Sequence, residues 1–238
     1  PNGIYAAKLF VDEQPQIAFV LDSLDYNETV YLNAHVDYKH KHNGGAWLQH
    51  LSKLPGDAGV AYKKFNGDGV ISVTDTAIHD IRIEVKDAKG NMSKLNFRLQ
   101  YIDSLAKPSI NQEGAIYFAP NSKAVLAKPD FEIHLPGGSL YDTMKAYYFR
   151  NTAVTKNAIS ALHQVNDASV PVHNNFAVFI KPYKPVPAEW SDKLLIQRSY
   201  RNSSTVRKAV LKGEWITTSF DDFGSFQAFV DTIPPNIS

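Results

Sequence analysis

The chain has 238 residues, of which 44% are hydrophobic and 21% charged, so it is long enough for two domains with separate cores. Its formal net charge of +1 argues against a nucleic-acid partner, because such binding depends on neutralising many phosphates. The lack of cysteine excludes disulfides and thiolate metal sites, and no apolar run approaches the roughly 18 residues that span a membrane.

The first half of the chain carries the two-residue periodicity of β-strands. Residues 81–86 and 95–101 alternate apolar with polar side chains, and residues 87–91 between them have turn-forming chemistry, which predicts an antiparallel hairpin. Five further segments have strand-like composition, namely residues 4–11, 16–21, 29–38, 59–62 and 70–74. About seven strands at this spacing predict an immunoglobulin-like β-sandwich over residues 1–103.

The second half is also predicted to be all-β. Residues 104–111 have the composition of a linker. Residues 112–232 contain short β-prone runs separated by Asn, Asp, Pro and Gly, and among them residues 131–135 and 176–180 are predicted strands. No segment has a convincing amphipathic helical pattern, so we expect a second β-sandwich. Residues 233–238, which include Pro234 and Pro235, are predicted to link to a further domain, because adjacent prolines stiffen the backbone and disfavour helix.

Four potential metal ligands lie close together in the sequence: His35, Asp37, His40 and His42. Zinc requires three or four nitrogen or oxygen ligands that converge at about 2 Å. On a continuous strand, His35 and Asp37 would face one side and the other two histidines the opposite side, so only a bulge or turn near Lys39 could bring the four together. We therefore expect a surface strand running into a polar loop, with no metal and no cofactor.

Consecutive aromatic residues in a predicted strand supply the candidate ligand contacts. Because neighbouring side chains of a strand point to opposite faces, at least one of Tyr147, Tyr148 and Phe149 must face away from the core. Flat aromatic faces can stack on sugar rings, so Tyr147 and Tyr148 are candidates for glycan contact. The alternative is that these rings, like Trp47, Trp190 and Trp215, serve packing in the core or between domains.

Motifs of catalytic sites are absent from the sequence. It contains no Gly-x-Ser-x-Gly nucleophile elbow and no phosphate-binding glycine loop. Residues 66–69 resemble part of a calcium loop but lack its spaced acidic ligands, and Asp221 and Asp222 beside Gly224 are typical of a turn. We therefore predict no catalytic residue in this chain.

Four phrases of the sequence resemble the non-catalytic region that follows the peptidase domain in lysostaphin-type zinc metallopeptidases of Bacteroidetes. They are NETVYLNAHVDYK (27–39), VKDAKGNMSKLNFRL (85–99), IHLPGGSLYDT (133–143) and SFDDFGSFQAFVDTIPP (219–235). The LPGGSLYDT phrase is also similar to the sandwich carried by ankyrins and netrin receptors. The sequence contains neither the His-x-x-x-Asp-type zinc ligand pair in the glycine-rich setting of the peptidases nor their His-Gly-His-type partner. The resemblance therefore implies peptidase activity only for a parent protein.

The resemblance implies a periplasmic or cell-surface location in a bacterial envelope. The sequence therefore suggests a non-catalytic spacer or binding module of a peptidoglycan metallopeptidase, whose partners would be peptidoglycan, another envelope protein or its own peptidase domain. An adhesin-like surface protein without a peptidase is the alternative, and the sequence upstream of Pro1 would distinguish the two.

Overall fold

A computed structural model describes residues 3–102, 116–152, 155 and 157–232 of the chain. The chain divides into two compact units, Pro1–Glu113 and Gly114–Ser238. Both are built mainly from antiparallel β-strands, which confirms the predicted all-β sandwich class. The predicted linkers, residues 104–111 and 233–238, lie outside the described residues. Among the described residues, no helix has the length and apolar character to cross a membrane.

The first unit contains one five-stranded antiparallel sheet in the spatial order β3-β2-β1-β4-β5. Its strands are β1 (Ala6–Val11), β2 (Gln14–Val20), β3 (Tyr62–Lys64), β4 (Ile78–Lys86) and β5 (Met92–Gln100). Asp12 and Glu13 connect β1 to β2 and have φ values of 50° and 64°. Positive φ at both positions belongs to the hairpin turn whose twist matches that of the flanking strands.

The β4–β5 hairpin has the strands and the turn that the alternation predicts. Ile81 lies opposite Phe97, and the turn between the strands is stabilised by Asp87, whose Oδ1 accepts hydrogen bonds from the backbone of Lys89 and Asn91, both at 2.9 Å. The expected burial of the apolar face is only partly correct, because Ile81 is buried whereas Leu95 and Phe97 are exposed.

Residues 29–38 are largely helical, so the predicted strand there is wrong. A 3₁₀ turn at Tyr26–Glu28 leads into α1 (Thr29–His35), and α2 (Tyr38–His42) follows. Carboxylates stabilise the starts of the 3₁₀ turn and of α2: a Glu28 oxygen accepts the N–H of Asp25 at 3.1 Å, and Asp37 Oδ1 accepts that of His40 at 3.0 Å. A short alternation cannot by itself distinguish strand from helix, and here capping and packing select the helix.

The second layer of the first unit differs from the immunoglobulin-like prediction. Leu24, Leu32, Leu51 and Ile71 pack against the buried sheet residues, among them Ile17 and Ile81. Leu32 lies on α1 and the other three lie in non-strand segments, so within residues 3–102 a helix and loops cover the sheet in place of a second sheet. Residues 70–74, predicted as a strand, belong to these loops.

The second unit contains two five-stranded antiparallel sheets, in the orders β10-β11-β17-β13-β14 and β15-β16-β12-β8-β7, and a two-stranded pair β6-β9. The strands are β6 (Tyr117–Phe118), β7 (Ala124–Lys128), β8 (Phe131–Leu135), β9 (Met144–Lys145), β10 (Tyr148–Asn151), β11 (Leu162–Val165), β12 (Phe176–Ile180), β13 (Leu194–Tyr200), β14 (Ser203–Lys208), β15 (Val210–Lys212), β16 (Trp215–Phe220) and β17 (Gly224–Val230). The predicted strands at 131–135 and 176–180 have the observed bounds.

Aromatic side chains from both large sheets meet in the core of the second unit. Phe226 comes from β17, the central strand of the first sheet, and its ring lies 5.2 Å from that of Phe220 and 6.1 Å from that of Phe131 in the second sheet. All three rings are fully buried. This contact between facing sheets defines the sandwich.

Gly224, at the start of β17, occupies a position that only glycine fits without strain. Its φ is +151°, and a Cβ there would lie 2.8 Å from the carbonyl oxygen of Ser199. We predict that Gly224→Ala lowers the free energy of unfolding of this unit by about 1–3 kcal/mol. Urea unfolding followed by the fluorescence of Trp190 and Trp215 measures this effect, in a Trp47→Phe background that removes the tryptophan of the first unit.

Gly213 provides the matched control for this substitution. It also has positive φ, at +60°, but a Cβ added there would have no other atom within 4 Å. Gly213→Ala should therefore show only the backbone strain of about 1 kcal/mol. Equal losses in the two variants would contradict the role of the Ser199 contact.

Candidate functional site

The four potential metal ligands of the first unit do not converge. His35 is fully buried on α1, Asp37 caps α2, and the exposed His40 and half-buried His42 lie on α2, where the His42 ring stacks on that of Tyr38. Within the described ranges, no group of three or more His, Cys, Asp or Glu side chains is arranged to hold a metal ion.

Both ring nitrogens of His35 are engaged by the backbone. Its Nε2 accepts the N–H of Leu54 at 3.1 Å, which leaves the proton on Nδ1, and Nδ1 donates to the carbonyl of Tyr31 at 2.8 Å. The ring stacks on Tyr62 at 4.3 Å, and burial lowers the pKa of His35. These contacts make His35 a neutral core residue that joins α1 to the loop at Leu54.

A buried carboxylate completes this polar part of the core. Asp57 Oδ1 accepts the N–H of Gly59 at 2.6 Å, while Oδ2 lies 3.6 Å from His35 Nε2 and 3.5 Å from Lys53 Nζ. A cavity of about 10 Å³ lies beside Asp57, His35 and Tyr62, which is close to the space one water molecule needs. Asp57 Oδ2 has no hydrogen-bond partner among the described residues, and the cavity has room for about one water molecule and none for an organic ligand.

The aromatic triplet of the second unit divides between core and surface as the strand geometry requires. The side chains of Tyr147 and Phe149 are 61% and 59% exposed. Tyr148 faces inward, where its ring stacks on that of Phe131 at 5.8 Å and its hydroxyl lies 3.0 Å from His163 Nδ1. Of the two tyrosines predicted as ligand contacts, Tyr147 is therefore accessible and Tyr148 belongs to the packing.

A second surface with exposed aromatic side chains lies on this unit where the chain leaves β12. Residues 181–187, with the sequence KPYKPVP, form a non-strand segment that bends at Tyr183 and Lys184 and leads to a 3₁₀ turn at Ala188–Trp190. The N–H of Tyr183 donates to the carbonyl of Ile159 at 2.8 Å, and the N–H of Ile159 donates to the carbonyl of Ala228 in β17 at 2.9 Å. These bonds tie the segment to the sandwich, and its three prolines restrict φ further.

An apolar groove runs along one side of this segment, and we call it the Trp190 groove. Its volume is about 230 Å³, and its lining comprises Ala158, Ile159, Tyr183, Lys184, Pro185, Val186, Pro187 and Trp190. Ile159, Val186 and Trp190 also pack against the core, so the groove has a rigid floor. Tyr183 is 50% exposed and contributes one wall.

A second, more polar groove lies on the other side of the same segment. It has a volume of about 370 Å³ and shares four lining residues with the Trp190 groove, namely Tyr183, Lys184, Pro185 and Val186. Lys181 and Glu214 also line it, and they form an ion pair with Nζ and Oε2 at 3.0 Å. Tyr183 therefore lines both an apolar groove and a charged one.

The chemistry of the two grooves is that of a binding surface. Aromatic and proline side chains on a rigid floor offer flat apolar area at little entropic cost, which suits the apolar face of a sugar ring or an extended peptide. Lys184 at the shared rim adds a cation that can pair with a carboxylate. The sequence predicts a packing role for Trp190, and the lysines and prolines around Tyr183 are the signal in the sequence for a segment with exposed side chains.

No curated protein matches the chain significantly. Residues 115–231, just under half of the chain, match the family model of the Zu5-like domain, and this match includes both sheets and the Trp190 groove. The second unit is thus similar to the Zu5-like domain.

Proposed function

We propose that this chain is a non-catalytic module of a bacterial cell-envelope protein, and that its second unit docks the parent protein to peptidoglycan through the Trp190 groove. The parent is, by resemblance of the four sequence phrases, a peptidoglycan metallopeptidase. The β-sandwich holds the peptidase domain at a fixed position relative to its ligand.

The observation that carries the proposal is the groove with its exposed Tyr183 and its rigid floor. Peptidoglycan combines sugar rings, which stack on aromatic faces, with peptide stems that carry carboxylates. The groove offers a matching pair of groups, because Tyr183 and Trp190 supply aromatic surface and Lys184 supplies a positive charge. Stacking gives contact that persists at high salt, whereas the contribution of Lys184 is screened.

A pull-down of the full chain on insoluble peptidoglycan, with a salt series, tests this function. We predict that Tyr183→Ala weakens binding by about 5–30-fold at every salt concentration, which corresponds to about 1–2 kcal/mol of lost stacking. Tyr183→Phe should retain most of the binding. Lys184→Ala should weaken binding at low salt and have little effect at high salt.

Tyr147→Ala is the matched control, because it removes a tyrosine of similar exposure from the same unit. If Tyr147→Ala abolishes binding and Tyr183→Ala does not, the contact lies on the aromatic strand that the sequence indicated. If the wild-type chain does not bind peptidoglycan at all, the docking function is wrong and the search should turn to protein partners.

A further inference from the structure

The edge of the first unit's sheet has unused pairing capacity. β5 is the terminal strand of the order β3-β2-β1-β4-β5, and it is nine residues long with a register to β4 that has no bulge. Eight of its nine residues are exposed, so no described segment covers it. The strand contains no proline to interrupt a further ladder.

The two edges of this sheet differ in the features that prevent association. The opposite edge, β3, has only three residues and carries Lys63 and Lys64, both exposed. Short length and lysines are common protection against pairing with another strand. On β5, by contrast, Leu95 and Phe97 expose 57% and 39% of their surface on one face.

Each of the two cations of β5 pairs with a carboxylate of β4, which offsets part of its charge at this exposed position. Lys94 Nζ lies 3.1 Å from a Glu84 carboxylate oxygen, and Arg98 Nε lies 3.0 Å from Asp80 Oδ1. Each pair joins residues directly opposite in the β4–β5 ladder. Their charges therefore repel an approaching strand less than free lysine or arginine would.

The register of the hairpin shows which backbone groups face outward. Asp87 N–H donates to Asn91 O at 3.1 Å, and hydrogen-bonded pairs alternate along an antiparallel ladder. The backbone groups of residues 93, 95, 97 and 99 thus point to β4, and those of 94, 96, 98 and 100 point away. On the far side of β4, Asp80 O accepts the N–H of Asp12 at 2.9 Å, which agrees with this alternation.

We propose that β5 pairs in antiparallel fashion with β5 of a second copy of this chain, with Phe97 opposite Phe97. The five strands of each copy then form one continuous ten-stranded sheet. Asn96 of each copy exchanges backbone hydrogen bonds with Arg98 of the other, and Lys94 does so with Gln100. Phe97 occupies a non-hydrogen-bonded pair, where the side chains approach most closely.

Charge and the placement of the apolar residues favour this register over two neighbouring ones. A shift that centres the pairing on Asn96 places Lys94 opposite Arg98, and directly opposed like charges are destabilising. A half-step shift places Asn96 opposite Phe97, which puts the apolar faces of the two copies on opposite sides of the sheet. The register centred on Phe97 avoids both and places Leu95 opposite Leu99 in one apolar row.

Sedimentation equilibrium of the full chain tests the pairing and its register. The wild type should dimerise with a dissociation constant of about 1–100 μM, as expected for a small interface. Phe97→Lys places two ammonium groups directly opposite each other and should weaken the dimer at least about tenfold. Circular dichroism of each variant verifies that the sheet is retained.

Two substitutions of Asn96 form a matched pair with opposite expected effects. Asn96→Asp faces Arg98 of the other copy twice by symmetry and should tighten the dimer about fivefold. Asn96→Lys should weaken it by a similar factor. A chain that is monomeric at about 500 μM overturns the proposal, and so does a dimer in which the two Asn96 variants behave alike. The result is independent of peptidoglycan binding, which involves the second unit.

Discussion

Phe226→Ala should lower the free energy of unfolding of the second unit by about 3–5 kcal/mol, the range for deleting a buried aromatic ring. Phe226 is fully buried, and its ring contacts those of Phe131, Phe176 and Phe220 from the facing sheet. Its removal loses the hydrophobic stabilisation of the buried ring. It also leaves a cavity that the neighbouring rings cannot easily fill, because three different strands hold them. Urea unfolding followed by tryptophan fluorescence in the Trp47→Phe background measures this loss.

Phe149→Ala is the control for this prediction. The same ring is deleted in the same unit, but Phe149 is 59% exposed. Its loss should change stability by less than about 0.5 kcal/mol. A small effect of Phe226→Ala, comparable to that of Phe149→Ala, would show that the two sheets are not held together by this aromatic contact.

Acid should destabilise the second unit through His163. This residue is fully buried, Nδ1 lies 3.0 Å from the Tyr148 hydroxyl, and Nε2 has no hydrogen-bond partner among the described residues. Burial lowers the pKa of His163 to about 4, a shift that Arg150 promotes and Asp130 opposes. The protonated imidazole is therefore more stable in the unfolded chain than in the folded core.

The sign of the pH dependence follows from the two pKa values. Above the unfolded pKa of about 6.5, His163 is neutral in both states and reduces the free energy of unfolding by nothing. As the pH falls from about 6.5 to 4, the unfolded state binds the proton first, so the free energy of unfolding decreases by up to about 3 kcal/mol. Below the folded pKa, both states are protonated and no further loss comes from this residue.

His163→Phe should remove this pH dependence, because phenylalanine can keep the stacking on Phe131 without a titratable group. Unfolding at pH 7.5 and pH 4.5, again in the Trp47→Phe background, gives the comparison. The first unit has a pH dependence of its own, because Asp12 and Asp75 raise the pKa of His79 and its contribution to stability declines as pH rises. The Trp47→Phe background removes the fluorescence signal of that unit. An unchanged difference between the two pH values in His163→Phe would refute the role of His163.

Some elements were accessible from local sequence because their determinants are local. The β4–β5 hairpin needs only alternating side chains and a turn closed by Asp87, and both are contiguous in the chain. The strands at 131–135 and 176–180 are short apolar runs between turn residues, so their bounds were also predictable. For the 3₁₀ turn that leads into α1 and for α2, the capping residues Asp25, Glu28 and Asp37 were a sequence signal for helix that the alternation obscured.

The candidate sites depended on distant partners and were therefore beyond local inference. His35 was a plausible ligand until the fold brought Leu54 to its Nε2, and Tyr148 was a plausible surface contact until β11 placed His163 against it. The Trp190 groove combines Ile159 with residues 183–190, a proximity that depends on how the strands assemble.

The sequence by itself determined the all-β class, the existence of the β4–β5 hairpin and the absence of thiol chemistry, because each follows from residue type and spacing. Only the tertiary structure decided which side chains are buried, which edge of the sheet remains open and where aromatic rings form a groove. The physical reason is that burial and pairing are relations between segments far apart in the chain. Periodicity states which residues share a face of a strand, and the fold decides what that face contacts.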